Sequence, residues 1–280
     1  MKKLKYFLLT KSVGFGLNNL SYFQPKRATS IAYRLFSEPR KGRLNKEDLP
    51  QILQGVPTEN FVFDNEILET YIWKGNENVI LLVHGWESNT ARWEQLLPYL
   101  QETGSTIVAI DAPAHGLSGG TEFNVIKYAS FINVAVKHFK PNVLIGHSIG
   151  GAACIYFQSH FKSESIKKMV ILGAPSDFTE LVVNYVNLLS LNKRMNGLLY
   201  SYFSAKFKTE ITSFSIAAFA KELQIPGMIV HDKFDDVISF GEGQKIADAW
   251  NNSTFIQTEG LGHSLHDDQV YLKIKAFVEN

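Results

Sequence analysis

The stretch Val143-Leu144-Ile145-Gly146-His147-Ser148-Ile149-Gly150-Gly151 constrains the backbone more than any other part of the chain. An apolar run reads as a buried strand, the Ala-rich pattern after it reads as a helix, and a Gly-x-Ser-x-Gly pentapeptide makes the bend between them. Such a bend holds Ser148 in a strained conformation, with Gly146 and Gly150 where a Cβ would collide with the neighbouring strand or helix. The hydroxyl is left projecting into a cleft. The backbone N–H of Ile149 opens the helix, points outward beside the hydroxyl, and is placed to hydrogen-bond an oxyanion. The plain alternative is a Gly-rich turn with a capping serine; the strand before and the helix after favour a nucleophile.

The rest of the chain repeats the alternation of buried strand and helix. Val79 to Val83 is a continuous aliphatic run ending in His84-Gly85-Trp86, and Ile107 to Ile110 runs into Asp111-Ala112-Pro113-Ala114-His115-Gly116-Leu117-Ser118. Met169 to Leu172 closes at Gly173-Ala174-Pro175, Met228 to Val230 runs into His231, and Ser253 to Gln257 completes the series. Uninterrupted aliphatic strands imply cover on both faces, so the fold class is α/β: a doubly wound, mostly parallel sheet. Phe61 to Phe63 and Ile67 to Trp73, joined at Asp64-Asn65, read as an opening hairpin. Helices are expected from Asn89 to Leu100, from a Thr121 cap to Phe139, around Gly243 to Trp250, and from His266 onward. Between Ser176 and Glu222 the strand signal stops, and Leu181, Val182, Tyr185, Leu188 and Leu189 fall at helical spacing. This insertion reads as a helical cap over the cleft. The expected organisation is a basic arm (1–60) packing on the body, a core of 61–175 and 223–280, and a cap of 176–222.

Charge is what marks the arm. Residues 1–60 hold eleven Lys and Arg against four Asp and Glu, a balance of +7 that leaves −6 for the remainder of a chain whose total is +1. Such an arm suits an anionic membrane surface or nucleic acid, or folds back on an acidic body. The apolar content of Tyr22, Phe23, Ile31, Tyr33, Leu35 and Phe36 favours the last. Nucleic acid is not expected, and peripheral membrane contact through the arm is the disfavoured alternative. The N-terminal Tyr6-Phe7-Leu8-Leu9 run is too short for a signal peptide and lacks a cleavage site, so a cytoplasmic location is expected. No apolar run reaches the roughly 18 to 20 residues of a membrane-spanning helix. The single cysteine, Cys154, reads as packing.

A serine hydroxyl is a poor nucleophile at neutral pH and needs a histidine base, usually steadied by an acid. In doubly wound sheets the ligand crevice lies beyond the carboxyl ends of the strands, which limits the search to the loops leaving those ends. After strand 226–230 come His231, Asp232, Asp235 and Asp236; after strand 253–257 comes Gly262-His263. The order is Ser148, Asp235, His263, with Asp232 and Asp236 as competing acids and loop solvation as their ordinary role.

Taken together, His-Gly-x at 84–86, the Asp111 to Ser118 loop, the elbow at 146–150, the Asp loop and Gly262-His263 resemble the α/β-hydrolase family over roughly residues 60–280. The resemblance implies that Ser148 attacks, that His263 acts as general base and then acid, and that Asp235, four residues after His231, holds the imidazole tautomer. It implies that the backbone N–H of Trp86 is the second oxyanion donor beside Ile149. The chain departs from the family pattern in carrying His231-Asp232 where many members have Gly before the acid, Ser239 where they often have Pro, and Trp86 in place of a His-Gly-Gly-Gly motif.

The function expected is a serine hydrolase that cleaves a carboxylic ester of a small-molecule acyl substrate through an acyl-enzyme. Alternatives are a thioesterase, an amidase or peptidase, or an acyltransferase with the same triad, and beyond those a non-catalytic binding module of the fold. No cofactor or metal is expected. His84 and His115 read as structural, His147 as packed in the elbow, and His266 with Asp267-Asp268 as the opening of a helix whose dipole suits acidic residues.

Overall fold

Aliphatic runs with cover on both sides can satisfy their backbone only by pairing with one another, and here they form one sheet. The computed structural model describes the backbone from Lys2 to Asn280 and the side chains from Phe7 onward. The strands are β1 (Thr58–Phe63), β2 (Glu66–Trp73), β3 (Asn76–Val83), β4 (Ser105–Ile110), β5 (Val143–His147), β6 (Lys168–Leu172), β7 (Gly227–Asp232) and β8 (Ser253–Thr258). The helices are α1 (Lys2–Phe23), α2 (Pro25–Ser37), α3 (Leu97–Gln101), α4 (Val125–Phe139), α5 (Ile149–Phe161), α6 (Phe178–Leu189), α7 (Lys193–Phe207), α8 (Ile216–Ala220), α9 (Phe240–Ala249) and α10 (Asp268–Glu279).

The sheet order is β1-β2-β4-β3-β5-β6-β7-β8, antiparallel from β1 through β2 to β4 and parallel from β4 onward. Asp64 and Asn65 both take positive φ, 50° and 60°, which gives the tight β1–β2 turn the twist a hairpin needs. Parallel pairing sends the loops after β3, β5, β6, β7 and β8 out of one edge. Register sets their neighbours: Val83 lies opposite Gly146, His147 opposite Leu172, and Asp232 opposite Thr258.

Strand side chains alternate, so two cores result. Ile80, Leu82, Ile145, Val170, Leu172 and Val230 pack with Leu97 and Leu100 of α3 and Val270, Tyr271 and Ile274 of α10. Leu81, Leu144, Met169, Ile171 and Ile229 point the other way and are equally buried. There α4, α5, α8 and α9 pack side by side. Each fully buried aliphatic side chain stabilises the fold by about 1.5–3 kcal/mol relative to exposure.

Local starts and stops differ from expectation where chemistry overrode spacing. Asn124, not Thr121, caps α4, its side chain accepting from Lys127 N–H. The expected 89–100 helix is broken into a 3-10 turn at Thr90–Glu94, capped by Asn89, and the short α3, with Pro98 fitting the first turn of the latter. Trp93, Leu96, Leu97 and Leu100 are buried all the same. The last helix begins at Asp268 with Asp267 as its cap, accepting from Gln269 and Val270 N–H.

The chain divides into two compact units, and the boundaries fall elsewhere than the spacing implied. One unit is Pro39–Ser176 with Ile216–Asn280; the other is Met1–Glu38 with Asp177–Ser215. Residues 39–60 therefore belong with the sheet rather than with the arm. Arg43 donates to the carbonyls of Ser118 and Gly120, and Leu53 is buried. Residues 216–222 also belong with the sheet: Ile216 and Ala220 are buried, Phe219 meets Tyr156 edge-on, and Ser159 donates to Glu222.

The helical unit has a core of its own. Leu17, Ala28, Ala32 and Tyr33 of α1 and α2 pack with Val182, Leu189, Met195, Leu199 and Phe203 of α6 and α7. Phe36 stands edge-on to Phe178, Tyr185 and Phe203. Lys11 donates to the carbonyls of Asn187 and Leu188 at the end of α6, where a cation meets the negative end of the helix dipole. Asn18 brackets the α6–α7 turn, donating to Ser190 O and accepting from Asn192 N–H. The first 38 residues thus pack with the insertion, because the apolar faces of α1 and α2 match those of α6 and α7.

Candidate active site

The bend after β5 has the backbone that the pentapeptide implies. Ser148 sits at φ 55°, ψ −129°, a conformation that non-glycine residues avoid, and its N–H is held by Leu172 O at 2.7 Å. A Cβ on Gly146 would lie 2.6 Å from Gly151 Cα, and one on Gly150 would lie 2.3 Å from the carbonyl oxygens of Val83 and His84. Larger residues would push the helix off the strand or the elbow off β3. The Ser148 side chain makes no capping bond to α5, which sets aside the capping-serine reading.

The hydroxyl is instead paired with a base. Ser148 Oγ lies 3.0 Å from His263 Nε2, and His263 Nδ1 lies 2.7 Å from Asp235 Oδ2. The network assigns the proton to Nδ1, donated to the carboxylate, leaving Nε2 to accept from the serine. Three loops, after β5, β7 and β8, bring these groups together across 115 residues of chain. The Asp235 side chain is fully buried and that of His263 is 18% exposed.

Burial works to raise the Asp235 carboxyl, but the hydrogen bonds from His263 and from the N–H groups of Ile238 and Val237 outweigh it. They hold it below the usual carboxylate range, so it remains an anion. His231 donates through Nε2 to Ile238 O at 3.0 Å and lies 3.5 Å from Asp235 Oδ2, closing the back of the acid loop.

Trp86 and Ile149 flank the serine through the loop after β3 and the start of α5. Neither N–H makes a hydrogen bond among the described residues. The Trp86 ring packs against His115 and Phe123, both at 5.4 Å between centroids, which fixes the loop that carries its N–H. Gly85 comes so close that an added Cβ would lie 2.9 Å from Ser148 Cβ.

The other histidines have structural partners. His84 is buried, donates through Nδ1 to Gly85 O and accepts at Nε2 from Ala112 N–H; burial lowers it to about 4. His115 bonds Pro113 O and accepts from Glu87 N–H, and burial lowers it to about 4 as well. His266 pairs with the Tyr271 hydroxyl. No cluster suited to a metal ion occurs among the described residues. Cys154 is buried, and burial pushes its thiol up.

Two residues do more than their spacing suggested. Asp232, read as loop solvation, is fully buried and ties two loops together. It accepts from Phe234 N–H and Leu261 N–H, both at 2.9 Å, from the Thr258 hydroxyl at 2.8 Å, and from Gly260 N–H at 3.3 Å. Burial works to raise it, but these donors hold it below the ordinary value. Asp236 is exposed, as a solvating loop residue would be. His147 is packed in the elbow, but it also donates through Nε2 to the backbone carbonyl of His263 at 2.8 Å. A carboxylate closing an aliphatic strand opposite a Gly260-Leu261-Gly262 loop was the available signal for the first; the second left none in the sequence.

Asp111, in the loop after β4, accepts at one oxygen from the N–H and hydroxyl of Thr90 and at the other from Leu117 N–H and the Tyr71 hydroxyl. Four donors satisfy a carboxylate fully, although burial still pushes the group up. It anchors the ends of β2 and β4 and the loop before α3.

The family model described as "alpha/beta hydrolase fold" matches residues 78–200. The bovine protein ABHD8 is 23% identical over 208 residues, covering 61% of this chain and 48% of that protein. A bifunctional esterase/perhydrolase from Acinetobacter calcoaceticus is 22% identical over 235 residues, 67% of this chain and 85% of that one. The match thus spans about half the length of the ABHD8 relatives. Among solved structures, an esterase from Rhodococcus sp. superposes with a TM-score of 0.61 at 16% identity over 81% of this chain and 99% of that one. The thioesterase domain from the curacin biosynthetic pathway superposes at 0.58 and 16% identity, over 81% and 100%. The strand order, the elbow and these likenesses agree: the chain has the α/β-hydrolase fold.

Proposed function

We propose that the protein is a serine hydrolase that cleaves carboxylic esters through an acyl-enzyme, with Ser148 as nucleophile, His263 as base and Asp235 as orienting acid. The observation that carries this reading is the unbroken hydrogen-bonded chain from Ser148 Oγ through His263 to Asp235, at 3.0 and 2.7 Å. Ser148 Oγ attacks the ester carbonyl carbon while its proton passes to His263 Nε2. The oxyanion accepts from the free N–H groups of Trp86 and Ile149, donors worth about 3–4 kcal/mol each in such sites. His263 then delivers the proton to the departing alkoxide, which leaves the acyl group on Ser148. A water, deprotonated by the same nitrogen, attacks the acyl carbon; the bond from that carbon to Ser148 Oγ then breaks as His263 returns the proton to the oxygen, releasing the carboxylic acid and the free serine. Asp235 stays ionised throughout and favours the imidazolium formed in each step.

The triad is indifferent to the leaving group, so thioester, amide and acyl-transfer chemistry share these steps. Incubation with a fluorophosphonate should add one adduct mass, mapped to Ser148, and stop hydrolysis of p-nitrophenyl acetate. Ser148→Ala should take no label and hydrolyse no ester. An unmodified intact mass in the wild type removes the proposal, and a parallel panel of thioesters and amides separates the alternatives.

A further inference from the structure

Helix α1 has two apolar sides, and the helical unit uses only one of them. Thr10, Gly14, Leu17 and Ser21 face inward and are buried. Leu8, Phe15 and Tyr22 recur every seven residues on the opposite side, a line of about 21 Å at 1.5 Å per residue. All three are more than half exposed, with Phe15 at 72%, and Phe23 beside Tyr22 reaches 84%. Phe7 and Leu9 are exposed on either side of Leu8. Folded monomers rarely present so many large apolar side chains on one helix face.

Charge identifies the occupant. Helix α1 carries Lys2, Lys3, Lys5 and Lys11 and no acidic residue. The whole helical unit has eleven Lys and Arg against four Asp and Glu, a balance of +7 that leaves −6 for the sheet unit. A cation borders the apolar line at its C-terminal end: the Arg194 guanidinium lies 5.2 Å from the Tyr22 ring. Exposed Lys26 and Arg27 stand three and four residues after Phe23, in the first turn of α2.

We propose that this face of α1 docks on an anionic lipid bilayer. The helix lies in the interface with Leu8, Phe15, Tyr22 and Phe23 in the upper acyl region, and the surrounding bases meet lipid phosphates. No helix among the described residues is long and apolar enough to cross the bilayer, which suits a helix that lies on it. A second copy of the chain fits poorly, since two units of +7 would be brought face to face. A bilayer demands no shape complement, so a ragged line of separate rings serves it better than it serves a protein groove.

The test is sedimentation of the full-length protein with phosphatidylcholine vesicles and with vesicles containing about 30 mol % phosphatidylserine. The expected partition is at least tenfold stronger on the anionic vesicles, and it weakens as salt is raised from about 0.05 to 0.5 M. The combined variant Leu8→Ser, Phe15→Ser, Phe23→Ser should lose at least tenfold in binding while keeping its circular dichroism and its p-nitrophenyl acetate hydrolysis. Lys26→Glu with Arg27→Glu should weaken the preference for the anionic lipid. Equal partition to both vesicles, or undiminished binding by the triple variant, overturns the proposal. Absence of vesicle binding together with a dimer that the triple variant dissolves assigns the face to a second copy instead, and absence of both leaves it to a protein partner.

Discussion

Asp232→Ala is the perturbation whose outcome follows most directly from the geometry. The substitution removes a buried carboxylate and strands three good donors, Phe234 N–H, Leu261 N–H and the Thr258 hydroxyl, with Gly260 N–H as a weaker fourth. A buried donor left without a partner costs about 1–3 kcal/mol; because these groups are only partly buried and water can reach some of them, the total expected loss is about 3–5 kcal/mol. Asp232→Asn keeps one acceptor oxygen and loses the pair of bonds made by the other, so about half that loss is expected. The pH dependence has a definite sign. The folded carboxyl sits below its ordinary value, so its contribution is complete above the unfolded value of about 3.9 and fades as the pH falls through the lower folded value. Urea unfolding followed by tryptophan fluorescence should show a constant gap between wild type and Asp232→Ala from about pH 8 to 5, narrowing below about pH 4. Ester hydrolysis should fall as well, since Leu261 stands two residues from His263. A stability loss under about 1 kcal/mol with unchanged hydrolysis would refute the reasoning, because it would mean the two loops hold their places without the carboxylate.

Asp235→Asn should fold and lower kcat about 10³ to 10⁴-fold, measured on p-nitrophenyl acetate, because the amide neither fixes the tautomer nor offsets the imidazolium. His84 and His115, both lowered by burial to about 4, bind fewer protons folded than unfolded. Their stabilising effect is therefore complete above about pH 6.5 and lost as the pH falls toward 4, with a slope approaching two protons, about 2.7 kcal/mol per pH unit; imidazole proton NMR should show neither ring titrating from pH 8 to 5.5. His147→Ala removes one hydrogen bond and a buried ring nitrogen, Nδ1, that has no partner among the described residues, so stability should change by about 1 kcal/mol or less. Hydrolysis should drop about tenfold to a hundredfold as the His263 backbone loses its tie, read as a fall in kcat with KM little changed.

What could be read from the sequence was whatever depends on short-range chemistry. The elbow was legible because its two glycines answer to contacts within a few residues and with the adjoining strand. The aliphatic runs marked the strands because a strand covered on both faces tolerates little else. The loops leaving one edge of the sheet narrowed the candidates, and the family resemblance singled out Asp235 from Asp232 and Asp236; the Asp235, His263 and Ser148 side chains lie within hydrogen-bonding distance of one another in turn, from acid to hydroxyl. Long-range pairing was not legible. Nothing in Ala28, Ala32 and Tyr33 says that their partners are Val182, Met195 and Phe203 rather than the sheet, because an apolar stripe specifies burial and not the surface that buries it. The cap of α4 was misplaced because Thr121 and Asn124 are both good capping residues, and only the side-chain bond to Lys127 N–H decides between them.

Asp232 and His147 share a physical role that the triad residues cannot fill for themselves. In the proposed mechanism His263 passes a proton between serine and leaving group, so where its main chain stands matters as much as where its ring points, and the ring itself is partly exposed. That main chain can be locked. Arg92 donates to Ser264 O at 3.0 Å, His147 donates to the carbonyl of His263, and Asp232 holds Leu261 on the other side. Lys233 and Glu259, paired at 2.7 Å, add a weaker tie between the same two loops at the surface. Polar bonds to main-chain atoms on both sides of His263 fix where its Cα stands, and the bond to Asp235 then sets the imidazole within reach of Ser148 Oγ. On the proposed mechanism, precision at the base comes from buried groups outside the reacting set, and Asp232, read as loop solvation, is accordingly satisfied as fully as Asp235.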